Sequence, residues 1–130
     1  MDIEILVEED TTPCPVFVGL ETPLSEIKTL MTTNSIRHIP VLDGELPVGI
    51  ISDRDVLVLM NHASEKNLIA QDIMTPGPLT IKSNVTLSKA AFELSKYKIG
   101  CAIVVDEEGK MEGIFTTTDA LNALIELARG

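Results

Sequence analysis

The sequence predicts an α+β fold made of two pseudo-twofold-related β-α-β-β-α repeats packed sheet to sheet. Three observations carry this. "GIISDRD" (Gly49 to Asp55) returns as "GIFTTTD" (Gly113 to Asp119), 64 positions later. At an offset of 63, "TPCPVFV" (Thr12 to Val18) falls on "TPGPLTI" (Thr75 to Ile81), Leu24-Ser25 on Leu87-Ser88, Ile36 on Ile99, Val41 on Val104 and Asp43 on Asp106. The change of offset needs one inserted residue, in "DEEGKMEG" against "DGELPVG", where a turn absorbs it. Finally, apolar spacing switches between the strand and helix periods in the same order in both halves.

Each element follows in turn. "PVFV" and "PLTI" are Pro-bounded strands. The first helix has Thr22 as its expected N-cap and Pro23 at the first helical position, with Leu24, Ile27, Leu30 and Met31 on one face. Leu87, Ala90, Ala91 and Leu94 repeat that face. "HIPVLDGELPVGIIS" and "CAIVVDEEGKMEGIFT" read as hairpins around Gly-containing turns. "DVLVLM" is strand-like by composition, but its counterpart "TTDALNALIELARG" has a helical period at Ala120, Leu121, Leu124, Leu127 and Ala128. Repeats share a fold, so both are expected to be helices. The predicted division is repeat one over 10–62, a linker over 63–72 and repeat two over 73–130. A unit of about 55 residues buries too little surface to be secure alone, so the two are expected to complete one core with clefts between them.

Composition narrows the function. At 45% hydrophobic the chain can form a core, which Ile, Val, Leu and Met must fill because it has three Phe, one Tyr and no Trp. A net charge of -10 opposes binding to nucleic acid or to anionic membrane. Cys14 and Cys101 form no CxxC pair and are expected as reduced, buried thiols of a cytoplasmic protein. "MDIEILVEED" lacks the pattern of a signal peptide. No catalytic motif of the GxSxG, P-loop or HExxH kind is present, and two histidines make a zinc site unconvincing, so no enzyme, metal or required cofactor is expected.

The repeated corner has its own chemistry. Ser52 and Thr116 stand three residues before Asp55 and Asp119, at an expected strand-to-helix boundary. The hydroxyl can cap the helix. The carboxylate can accept hydrogen bonds from two neighbouring hydroxyls, as an acidic side chain does on a ribose. Both roles are open at the same residues.

"TPLSEIKTLM", "RHIPVLDG", "DIMTPGPLTI" and the two terminal Gly-to-Asp motifs together resemble a tandem pair of CBS domains, from about Asp10 onward. The resemblance implies a regulatory module for an adenosyl ligand such as AMP, ADP, ATP or S-adenosylmethionine. Ribose would lie at Asp55, Asp119, Ser52 and Thr116. The base would lie against Val16, Phe17, Ile39 and Pro40, or against Leu79, Thr80, Ala102 and Ile103. Phosphate would meet Arg37, His38 and Arg54, whose counterparts Gly100, Cys101 and Thr118 are uncharged. Ile103 replaces a Pro at the position matching Pro40, and Phe17 stands against Thr80, so the two clefts are not expected to be equivalent. The resemblance also implies a homodimer through the helices, with Leu121, Leu124 and Leu127 otherwise facing water. The alternative reading is a structural dimerisation module with no bound ligand.

Overall fold

A computed structural model describes residues 5–13, 16–61 and 67–130; Cys14 and His62 lie outside these. Among the described residues there are eight strands, five α-helices and a 3-10 turn at Val7–Asp10, in two four-stranded sheets. The chain divides into two units, Val16–Pro78 and a unit made of Met1–Pro15 with Leu79–Gly130. The boundaries are offset from the repeats because each Pro-bounded leader serves the other repeat's sheet.

In the first unit, β2 (Val18–Gly19), β3 (His38–Asp43), β4 (Leu46–Ser52) and β5 (Thr75–Pro76) form a sheet in that order. β2 and β3 are parallel; the other pairs are antiparallel. α1 (Leu24–Asn34), α2 (Asp53–Met60) and α3 (Ala70–Ile73) complete the unit. Leu24, Ile27 and Met31 of α1 are buried, as their spacing predicts, and pack with Val18, Ile39, Val41, Ile51, Val56 and Ala70. The segment expected as a linker over 63–72 thus runs into a helix with a buried residue. Backbone bonds from Leu24 N to Leu68 O (3.0 Å) and from Ala70 N to Thr22 O (2.8 Å) hold it there.

The second unit has the same plan. Its sheet runs β1 (Thr12–Pro13), β8 (Met111–Thr116), β7 (Cys101–Val105), β6 (Thr80–Lys82). α4 (Leu87–Tyr97) and α5 (Thr117–Arg129) pack on it through Leu87, Ala90, Leu94 and Ala123, against Ala102, Val104 and Phe115. The bond from Leu87 N to Ile5 O (2.6 Å) matches the one from Leu24 N to Leu68 O, 63 positions apart at both ends.

This exchange explains the repeated glycine. β1 crosses Gly113 and β5 crosses Gly49. A Cβ at Gly113 would collide with the carbonyl oxygen of Thr12, and one at Gly49 with the Met74 side chain. Glycine is what lets the short edge strand approach.

Two expectations are corrected. Pro23, not Thr22, occupies the N-cap of α1, and it offers no side-chain cap. The Thr22 hydroxyl instead accepts from Gly19 N at 3.1 Å, closing the turn before the helix. The opening strands are also shorter than "PVFV" and "PLTI", because regular pairing is confined to Val18–Gly19 and Thr80–Lys82. "DVLVLM" is helical, as its counterpart predicted. No helix among the described residues is long and apolar enough to cross a membrane.

Candidate functional site

The two hydroxyl-carboxylate corners sit where β4 enters α2 and where β8 enters α5. Their backbone plans coincide. Asp53 N donates to Arg37 O at 2.8 Å, and Thr117 N donates to Gly100 O at 3.1 Å. Ser52 Oγ accepts from Asp55 N at 3.2 Å, and Thr116 Oγ1 accepts from Asp119 N at 3.2 Å. A helix begins with unpaired N–H groups, and these contacts satisfy two of them at each start. The helix-capping role of Ser52 and Thr116 is therefore realised in both repeats.

The carboxylates differ. Asp119 Oδ2 accepts from Thr116 N (2.9 Å) and from the Thr116 hydroxyl (3.0 Å), completing a capping box. Its Oδ1 accepts from the Thr12 hydroxyl at 3.3 Å, across 107 residues. Among the described residues, the Asp55 carboxylate accepts no hydrogen bond: α2 has the Ser52 cap but no capping box. Thr75, which matches Thr12, lies opposite Ile50 and makes no equivalent bond to Asp55.

The electrostatic surroundings differ as well. His38 pairs with Ser52 across β3 and β4, which places its half-buried imidazole at the Asp55 corner. Burial pushes His38 below its ordinary pKa; Asp53 opposes this, Arg37 adds to it, and Asp55 opposes it more weakly. Arg37 and Arg54 are exposed, one ending the turn into β3 and one in the first turn of α2. At the other corner, burial first, then Glu126, Glu9 and Asp119, holds the Asp10 carboxyl above its usual range. That corner is acidic. Lys98, whose match is Ser35, lines the groove between α4 and α5 with Thr117.

The residues expected around a base are divided. Ile39 and Ala102 belong to the helix-facing cores, so their side chains are taken up in packing and only their backbone remains to offer. Pro40 and Ile103 are also fully buried, but alternation along the strands turns them to the opposite sheet face. Val16 and Leu79 are half-buried, Thr80 is exposed, and Phe17 is 50% exposed just ahead of β2. Thr80 pairs with Ile103, and Ile103 N donates to Leu79 O at 2.9 Å, so these three stand together. Cys101 is buried, as expected of a thiol without a reactive role. Sequence reasoning missed Thr12 and Asp10 as neighbours of Asp119; the repetition of Thr12 at Thr75 was the available signal.

The CBS domain family model matches residues 7–62 and again 70–126. Inosine-5'-monophosphate dehydrogenase of Korarchaeum cryptofilum is 34% identical over 104 residues, which cover 80% of this chain and 21% of that protein. The chain therefore spans about a fifth of that relative's length. Among solved structures, CBSX2 in complex with AMP superposes with a TM-score of 0.84 at 28% identity, covering 95% of this chain and 98% of that one. The CBS domain pair of protein MJ0100, in complex with 5'-methylthioadenosine and S-adenosyl-L-methionine, has a TM-score of 0.81 at 26% identity, covering 92% and 98%. Two matched repeats, two matching sheets and one shared corner plan lead to one assignment: the chain belongs to the CBS domain family, as a tandem pair.

Proposed function

We propose that the chain is a regulatory, non-catalytic module that senses an adenosyl ligand, with AMP, ADP or ATP favoured over S-adenosylmethionine. One observation carries the reading. Among the described residues nothing donates to the Asp55 carboxylate at the start of its capped helix; His38 stands at the same corner with Arg37 beside it, and Arg54 precedes Asp55 in the chain. A carboxylate of this kind can accept both hydroxyls of a ribose, and Arg can fork onto phosphate oxygens. The ligands of CBSX2 and of the MJ0100 pair share the adenosine group and support the same class. The ligand acts as an effector, so the function calls for no resident cofactor. Binding across Asp55 and Arg54 would hold the first turn of α2 and shift the population of its arrangements.

The second reading, a structural dimerisation module with no bound ligand, is not favoured by the ligand-bound relatives and rests only on the helical surface. Leu121 and Leu124 on α5 are 59% and 60% exposed, and an apolar groove of about 670 Å³ runs between α4 and α5. A homodimer through these helices is compatible with ligand sensing, and the second reading replaces the first if no ligand binds. Thermal unfolding with adenosine, AMP, ATP and S-adenosylmethionine decides. A ligand at 100 times its Kd stabilises the folded state by about 2.7 kcal/mol. The expected result is a larger rise in Tm with AMP or ATP than with adenosine, and a narrower gap in Arg54→Ala. No shift with any of the four selects the dimerisation module; a shift with S-adenosylmethionine alone makes the three cations ordinary solvated surface.

A further inference from the structure

A ribose diol needs two free acceptor positions on the carboxylate that grips it. Asp55 has them. Asp119 does not, because the Thr116 amide, the Thr116 hydroxyl and the Thr12 hydroxyl already donate to its two oxygens. Thr12 places on Asp119 the same group, an alcohol, that a ribose would bring. A ligand at that corner would have to displace Thr12 and break into the capping box, whereas at Asp55 no described residue has to be displaced. Charge separates the corners in the same direction. His38 lies at the first corner with Arg37 beside it, and Arg54 precedes Asp55 in the chain, while Asp119 is near Asp10, which Glu126 and Glu9 also crowd, with uncharged Gly100, Cys101 and Thr118 at the matching positions. A phosphate near the second corner would meet carboxylates without the compensating guanidinium groups.

We propose that an adenine nucleotide binds at the Asp55 corner alone, one per chain, and that the Asp119 corner is a structural joint kept closed by Thr12. This rests on the adenosyl reading above and narrows it. In this view Asp119 is spent on holding β1 and the start of α5 together, so the duplicated motif has one binding copy and one structural copy.

Isothermal titration of the whole chain with AMP tests it, on the wild type, Asp55→Asn and Asp119→Asn. The expected result is one AMP per chain, at least tenfold weaker binding in Asp55→Asn, and affinity within twofold of wild type in Asp119→Asn. Asp55→Asn removes no hydrogen bond seen among the described residues, so its fold should be intact. If Asp119→Asn is too unstable to titrate, the wild-type stoichiometry and Asp55→Asn still decide. Two AMP per chain, or wild-type affinity in Asp55→Asn, overturns the inference while leaving the adenosyl reading in place. A loss of affinity in a folded Asp119→Asn does the same. The absence of any AMP binding to the wild type overturns both.

Discussion

At Ser52 and at Thr116 the chain makes the same turn from strand to helix, closed by the matching carbonyl just ahead of β3 or β7 and by the same hydroxyl cap. Three residues on, the two copies part. Asp119 folds back onto its own cap and onto Thr12, while the Asp55 carboxylate accepts no hydrogen bond from the described residues. A duplicated backbone thus does not bring duplicated side-chain contacts. Main-chain geometry depends on where the chain turns, which both copies preserve. The use of a carboxylate depends on which donors reach it, and these come from distant segments that have diverged.

The largest effect should appear at the glycines beneath the two corners. Gly113→Ala drives a Cβ into the carbonyl of Thr12, a backbone atom of β1 that cannot move without unpairing the strand. Gly49→Ala meets only side-chain atoms of Met74, of which Sδ and Cγ can swing aside while Cβ, 2.9 Å away, must give by a smaller shift. Overpacking of this kind typically costs about 1–3 kcal/mol, so Gly113→Ala should fall near the top of that range and Gly49→Ala near the bottom. Urea unfolding measures both. Equal losses would show that the two edge strands are gripped alike.

A smaller gap should separate the caps. Losing an N-cap hydroxyl costs about 0.5–2 kcal/mol. Thr116→Ala breaks a reciprocal pair and leaves Asp119 with fewer donors, so its loss should lie in the upper half of that range. Ser52→Ala removes one bond from Asp55 N and should lie in the lower half. If Ser52→Ala is the costlier change, Asp55 is engaged after all.

The smallest effect is in pH, where the corners should respond with opposite sign. His38 is held below its ordinary value of 6.5, burial being the leading cause, with Asp53, Arg37 and Asp55 as its charged neighbours. Above pH 6.5 the imidazole is neutral in both folded and unfolded chains and costs nothing. As pH falls through 6.5 the unfolded chain takes the proton first, so folding weakens. A bound phosphate favours the protonated form, so AMP affinity should rise between pH 7.5 and 6, by about 0.2–1 kcal/mol if the contact resembles an exposed ion pair. His38→Gln should flatten that rise. Asp10 is raised above its ordinary value of 3.8, first by burial and then by Glu126, Glu9 and Asp119. Its contribution to stability is present below the unfolded value and is lost as pH rises through the folded one. Asp10→Asn should therefore stabilise the second unit slightly at pH 7. Unfolding series over about pH 3–8 and titration series over about pH 5–8 measure both signs. A pH-independent AMP affinity in the wild type would remove His38 from the phosphate contacts.

By itself the sequence determined the repeat, the order of elements and the identity of the helix at Asp53–Met60, because period and spacing are properties of a short stretch of chain. It also marked both corners, since a hydroxyl three residues before a carboxylate is a local pattern that meets a local need at a helix start. It did not show where a helix would stop when no glycine marked the place. α1 and α4 both end on a left-handed residue, Ser35 and Lys98, at φ 54° and 55°. Each stop is closed by a bond from Ile36 N to Met31 O or from Ile99 N to Leu94 O, both 3.1 Å. Nor could Thr22 be told from Pro23 as the cap, because that depends on where the Thr22 hydroxyl finds a donor, and the donor is in the preceding turn. The partner of Asp119 was the least legible. Thr12 reaches it only because the leader of the first repeat pairs with the sheet of the second, and that register is set by packing between segments that lie far apart in the chain. Local spacing placed the two carboxylates; long-range pairing decided that Thr12 holds one of them, while no described residue donates to the other.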